Sequence, residues 1–178
     1  CISDEKLIMD RSCWGCLNGV HSFCYRCIKS VILLVKVGSV MIENILPAVV
    51  DDNTRVLIVG SMPGVQSLQK QQYYGHPRNH FWPIIAGIVG ASVPTAYSDR
   101  IALVKNSGIG LWDVIKTCDR QGSLDSNIQN EVPNDFEQLF MQYPQIEAVV
   151  FNGTKAFSVF KRHIGLDVLQ GRTFLQMP

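Results

Sequence analysis

A chain of 178 residues is long enough for one domain with a sizeable core. Its 47% hydrophobic and 17% charged residues read as globular and exclude a disordered, highly charged chain. A net charge of +1 excludes a protein held to polyanions by its overall field, so any nucleic-acid site has to be a local patch.

The first forty residues differ from the rest. They hold Cys1, Cys13, Cys16, Cys24 and Cys27, and only Cys118 lies beyond them. Cys13-x2-Cys16 and Cys24-x2-Cys27 have the pair spacing of a zinc knuckle, with His21 as a spare ligand. Against zinc stand the short spacer between the pairs and the lack of a strand-turn scaffold. The run Ser30–Gly38 is apolar but too short to span a bilayer. Residues 1–40 are therefore expected to be an extension, with no metal. The domain is expected over 41–178, starting near Met41.

From there, strands and helices alternate. "RVLIVG" (55–60) is a short β-branched run closed by glycine, which predicts a buried strand. "SMPG" is a turn, and "VQSLQKQQ" starts a helix. "YYGHPRN" is a loop, and "RNHFWPIIAGIVG" puts Phe81, Ile84, Ile85 and Ile88 on one helical face from about Asn79. Thr95 is expected to cap the helix through "AYSDRIALVKN". "GIGLWDVI" (108–115) reads as the second strand. Asn134, with Glu137 three residues on, predicts a capping box for "NDFEQLFMQY". "IEAVVF" (146–151) reads as the third strand, "GTKAFSVFKRHIG" as a helix closed by Gly165, and "TFLQM" (173–177) as the fourth strand. This alternation predicts an α/β fold: a three-layer α/β/α sandwich around a central, mainly parallel four-stranded sheet.

Ligands of such sheets bind beyond the carboxyl ends of the strands. "GSMPG", "DVIKTCDRQGSLDSN" and "NGTKA" arrive there, and the rings and amides of "YYGHPRN" can form a pocket for a flat heterocycle.

"GSMPG", "YYGHPRNHFW", "GIGLWDV", "GSLDSNI" and "VVFNGTKAF", in this order over about residues 45–178, resemble the uracil-DNA glycosylase superfamily. The likeness is nearest to its deoxyinosine (hypoxanthine) branch and to the mismatch-specific thymine/uracil glycosylases. The resemblance implies a monofunctional DNA glycosylase that hydrolyses the bond between a deaminated base, hypoxanthine or uracil, and deoxyribose. It implies no cofactor, a DNA partner, no membrane, a monomer, and a cytoplasmic location (nuclear in a eukaryote). Tyr74 takes the place of the aromatic that stacks on the flipped base; its plain alternative is a core or rim tyrosine. Asn152 takes the place of the amide that reads the base edge; its alternative is a turn residue before Gly153. Mismatch-specific relatives orient the attacking water with an Asn at the third position of the turn, where this chain has Met62, and Ser61 is no obvious substitute. The deoxyinosine branch shares that departure, which moves the catalytic expectation to Asn79; its alternative is a helix cap.

Ser61 and Met62 are expected at the base, and Gly60, Pro63, Gly64, His76 and Arg78 at backbone or phosphate contacts, aided by the following helix N-terminus. His76 and His80 could equally be solvated loop histidines. Asp113 and Asp125 are expected to bind local backbone. Lys70, Arg78, Lys116, Arg120 and Lys155 could form a phosphate patch or solvated surface. The family's second motif, a Pro-Ser-rich loop entering the minor groove, would begin at Met177-Pro178, so the loop and a closing helix are expected past this chain's last residue. Two rival readings are a lesion-binding relative that does not cut and an unrelated nucleotide-binding α/β domain. The second is weakened by the lack of a GxGxxG or P-loop signature.

Overall fold

The computed structural model describes residues 41–178; the cysteine pairs and the apolar run before Met41 lie outside the described residues. In chain order the elements are β1 (Met41–Glu43), β2 (Val56–Gly60), α1 (Val65–Lys70), α2 (Phe81–Ile88), α3 (Tyr97–Asn106), β3 (Ile109–Asp113), β4 (Ile115–Asp119), β5 (Gln129–Pro133), α4 (Phe136–Gln142), β6 (Ala148–Phe151), α5 (Thr154–His163) and β7 (Thr173–Gln176).

β2 is the central strand. It pairs in parallel with β3 on one side and β6 on the other, and β7 pairs in parallel with β6. The sheet order is β3-β2-β6-β7. Successive side chains of a strand point to opposite faces, so a strand covered on both faces reads as a continuous apolar run. Leu57 and Val59 enter one core with Val149, Phe151, Phe136, Phe140, Val159 and Phe160, beneath α4 and α5. Ile58 enters the other with Leu111, Tyr73, Trp82, Ile85 and Val104, beneath α2 and α3. Two cores split by one sheet make the three layers expected from the sequence.

A second sheet, not expected from the sequence, accompanies the first. β1, β4 and β5 form an antiparallel three-stranded sheet in the order β1-β4-β5. "GIGLWDVI" is therefore not one strand. β3 ends at Asp113, the Val114 and Ile115 amides bond to the carbonyls of Gly60 and Ser61, and the chain crosses into the other sheet. β4 carries Lys116 and Thr117 between its buried Ile115 and Cys118, and its register with β5 shifts twice. Such a strand has no clean two-residue period.

Two helix starts also differ. Ala96, not Thr95, precedes α3, without a side-chain cap. Asp135, not Asn134, caps α4 by accepting from the Gln138 amide at 2.9 Å. Asn134 instead donates to the Asp113 carbonyl at 2.9 Å, bracing the corner where β3 leaves the sheet. β7 is exposed along its whole length. With Ile84 and Ile88 of α2, its Leu175 borders an apolar groove of about 690 Å3.

Candidate active site

The carboxyl ends of β2, β3 and β6 meet in one place. Around it lies a cavity of about 210 Å3 bordered by Gly60, Ser61, Met62, Pro63, Gly64, Ser67, Tyr73, Tyr74, Asn79, Asp113 and Asn152. It is smaller than the ~300–1,000 Å3 of pockets for drug-sized ligands, as suits one planar heterocycle. Asn79, Tyr74, Asn152, Ser61, Met62, Gly60, Pro63 and Gly64 are thus brought together as the sequence suggested. His76 borders a neighbouring cavity of about 380 Å3, shared with Tyr74 and Asn79. Its Nδ1 accepts from the Arg78 amide at 3.1 Å, a local loop bond. Arg78 is exposed and borders neither cavity.

The turn after β2 is held from several sides. Arg120, for which the sequence left a phosphate patch or solvated surface open, is in neither: it is 2% exposed. Its guanidinium donates to the carbonyls of Met62 and Pro63. Five donors in a rigid fork suit two adjacent turn carbonyls. Ser61 Oγ donates to Asp125 at 2.8 Å, so Asp125 holds the turn by a side chain rather than by backbone. Ser123 Oγ accepts from the Val65 amide at 3.0 Å. That first amide of α1 is therefore not free for a phosphate. Met62 is buried in the core under α4 and α5, with an edge at the cavity. Lys155 pairs with Glu131 at 2.6 Å.

The loop 73–80 divides its residues between core and cavity. Tyr73 and Trp82 are core: Trp82 Nε1 donates to the Tyr73 carbonyl at 3.2 Å, and the Tyr73 hydroxyl donates to the Pro47 carbonyl at 3.0 Å. Tyr74 has a left-handed backbone, with φ of 52°. Its ring lies against Phe81, centroids 3.6 Å apart and planes within 14°. Tyr74 borders the small cavity and Phe81 does not. Asn152 Nδ2 donates to the Tyr74 hydroxyl at 3.1 Å. Asn79 Oδ1 accepts from the Phe81 amide at 2.8 Å, where α2 begins. Among the described residues, Nδ2 is the unengaged end of the Asn79 amide.

Asp113 was expected to bind local backbone. Its carboxylate does not; Asn44 Nδ2 donates to Oδ2 at 3.1 Å. Burial, with a smaller push from Asp125, raises the carboxyl to about 7, against the pull of Asn44 and Arg120. Burial and Asp113 also hold the phenols of Tyr73 and Tyr74 above their ordinary range, so both stay neutral. The sequence carried one signal for Asp113: an acidic residue ending a strand that delivers its carboxyl end to the site. Among the described residues, no group of three or more His, Cys, Asp or Glu could hold a metal ion. No helix among them is long and apolar enough to cross a membrane.

The pattern of the Uracil DNA glycosylase superfamily matches residues 47–177. A hypoxanthine DNA glycosylase of Methanosarcina acetivorans is 44% identical over 117 residues, 65% of this chain and 74% of the relative. Its counterpart from Methanosarcina barkeri is 43% identical over 111 residues, 62% of this chain and 70% of the relative. The solution NMR structure of a candidate uracil DNA glycosylase from Methanosarcina acetivorans superposes with a TM-score of 0.65 at 37% identity. It covers 78% of this chain and 83% of its own.

Proposed function

The chain belongs to the uracil DNA glycosylase superfamily, and we propose that within it this chain excises hypoxanthine, and uracil less readily, through Tyr74, Asn79 and Asn152. It is a DNA glycosylase acting on deaminated bases: it hydrolyses the N-glycosidic bond and leaves an abasic site. Water oxygen bonds to C1′, the base departs with the electron pair of the broken bond, and the water's proton is released or passed to the base. The sugar passes through oxocarbenium character, so a weak nucleophile suffices when the base leaves readily.

The observation that carries the reading is the orientation of Asn152. With Nδ2 given to the Tyr74 hydroxyl, Oδ1 is the end left for a ligand. Hypoxanthine and uracil carry a ring N–H flanked by carbonyl oxygen, whereas adenine and cytosine carry a bare ring nitrogen there. An amide oxygen bonds the first pair and meets the second acceptor to acceptor. Tyr74 supplies a face for the extruded ring, backed by Phe81. Asn79, through its unengaged Nδ2, positions the water or bonds the departing base, a case of electrostatic preorganisation. The preference for hypoxanthine rests on the two Methanosarcina relatives.

The reading includes a working domain over 41–178 and a monomer acting where DNA is kept, in the cytoplasm or a eukaryotic nucleus. Single-turnover excision from duplexes containing deoxyinosine, deoxyuridine, adenine or cytosine tests it. Cleavage at deoxyinosine ahead of deoxyuridine, with adenine and cytosine untouched, is expected. Tight binding of lesion duplex without cleavage would instead favour a recognition module.

A further inference from the structure

One buried group at the cavity has no part in the roles above. Asp113 is 5% exposed, ends β3 opposite Gly60 and borders the cavity. Its two oxygens are not equivalent. Oδ2 accepts from Asn44 Nδ2. That amide cannot turn around freely, because Asn44 Oδ1 accepts from the Leu46 amide at 3.0 Å and Nδ2 also reaches the Ile115 carbonyl at 3.4 Å. Oδ1 has no hydrogen bond among the described residues and lies so close to Gly60 that a Cβ there would overlap it. Glycine at position 60 therefore leaves room for this oxygen, and both residues border the cavity.

The groups facing the carboxyl come from every neighbouring segment. They are Asn44 after β1, the Tyr73 and Tyr74 hydroxyls from the loop, Arg120 after β4, and Asp125 from the turn before β5. Burial dominates this set, and the neutral acid is the main form below about pH 7. Since Oδ2 must accept from Asn44, the proton of the neutral acid sits on Oδ1.

We propose that Asp113 is a specificity-determining residue whose Oδ1–H donates a hydrogen bond to the carbonyl oxygen of the flipped base, O6 of hypoxanthine or O4 of uracil. This rests on the proposed function. Together, Asn152 Oδ1 and Asp113 Oδ1–H present an acceptor and a donor, the complement of the lactam N–H and C=O. An amino-bearing base mismatches both, donor to donor and acceptor to acceptor. A site built around hydrogen bonds rejects analogues that leave its buried polar groups unpaired far better than an apolar pocket does. The same bond acts on the reaction. As the glycosidic bond breaks, negative charge spreads onto the base carbonyl, which a neutral acid stabilises and a carboxylate repels.

The test is single-turnover excision of hypoxanthine by the full chain, Asp113→Asn and Asp113→Ala, from roughly pH 5 to pH 9. Thermal unfolding of each variant is followed in parallel. The unsubstituted chain should slow by roughly tenfold for each step of one in pH above the carboxyl's midpoint. Asparagine can still accept from Asn44 and present an N–H to the cavity, so its profile should be flat and its rate within about tenfold of the maximum. Alanine should be slower by roughly 10²-fold or more at every pH below 7. A second arm measures affinity for a duplex carrying unsubstituted purine, which lacks the carbonyl; there the unsubstituted chain should have no advantage over Asp113→Ala. A rate that rises through pH 7, an Asn variant as slow as the Ala variant, or an advantage that persists on purine overturns the assignment. If the unsubstituted chain excises no deaminated base at any pH, the proposed function falls, and this assignment with it.

Discussion

Asn79 occupies a position where two demands fall on one side chain. Its Oδ1 accepts from the Phe81 amide at 2.8 Å, at the start of α2. Losing such a bond costs about 0.5–1.5 kcal/mol, and 1 kcal/mol is worth roughly 2–4 °C in Tm for a chain of this size. Its Nδ2 is the end proposed to act. Asn79→Ala should remove both functions: a Tm lower by a few degrees and an excision rate lower by roughly 10²-fold or more. Asn79→Asp separates them. One carboxylate oxygen still accepts from Phe81, and a negative charge at a helix N-terminus is favourable. The Asp variant should therefore unfold at or above the parent temperature, yet lose about as much rate as Ala, because it has no N–H to offer. Differential scanning calorimetry and single-turnover kinetics on deoxyinosine duplex measure the two quantities independently. An Asp variant that turns over like the parent would refute a donor role for the amide. An Ala variant that does so would reduce Asn79 to a loop residue bracing the turn ahead of α2.

Tyr74→Ala should weaken binding to lesion duplex by about 1–3 kcal/mol without unfolding the domain; Tyr74→Phe keeps the stack on Phe81 but releases Asn152, so the preference for lactam bases over adenine should narrow in competition binding. Arg120→Met leaves the Met62 and Pro63 carbonyls without their donors and should lower stability to urea by about 1–3 kcal/mol, less whatever is regained by no longer burying a charge. Asp113→Asn should stabilise the chain at neutral pH and above. The raised carboxyl contributes stability below its ordinary range, near pH 4, that is lost as pH rises toward about 7. The gain in urea denaturation over the parent should therefore grow across that window, to an upper limit of about 4 kcal/mol. Deleting residues 1–40 should leave the unfolding midpoint of the 41–178 domain unchanged by circular dichroism.

What could be read in the sequence was what burial writes into it. Val56, Leu57, Ile58 and Val59 are apolar in succession because β2 is covered on both faces, and the parallel sheet follows from that run. β4 and β5 could not be read in the same way. "IKTCD" and "QNEVP" serve a small sheet with broken register, where side-chain identity follows no period. Arg120 could not be told from a surface arginine, because what distinguishes it is a pair of carbonyls 57 and 58 residues away in sequence. The capping residue of α4 was missed by one position because Asn134 and Asp135 are equally able caps, and the nearby Asp113 carbonyl claims the first. At the site, motif order pointed to Tyr74, Asn79 and Asn152. Asp113 gained significance only from its surroundings: an apolar enclosure, an amide holding one oxygen and a glycine beside the other.

The contact between Gly60 and Asp113 also constrains the routes by which this fold can change. Any side chain at position 60 would meet Oδ1 of Asp113, so Gly60 cannot be replaced first without displacing the carboxyl from the cavity wall. The reverse order is open: once Asp113 has become serine or alanine, alanine at position 60 has room. The cost of a substitution at one position thus depends on the residue at the other, a form of epistasis set by steric contact. Descendants of such a chain that exchange the carboxyl for a smaller group are free to lose the glycine. Those that keep the carboxyl stay bound to it.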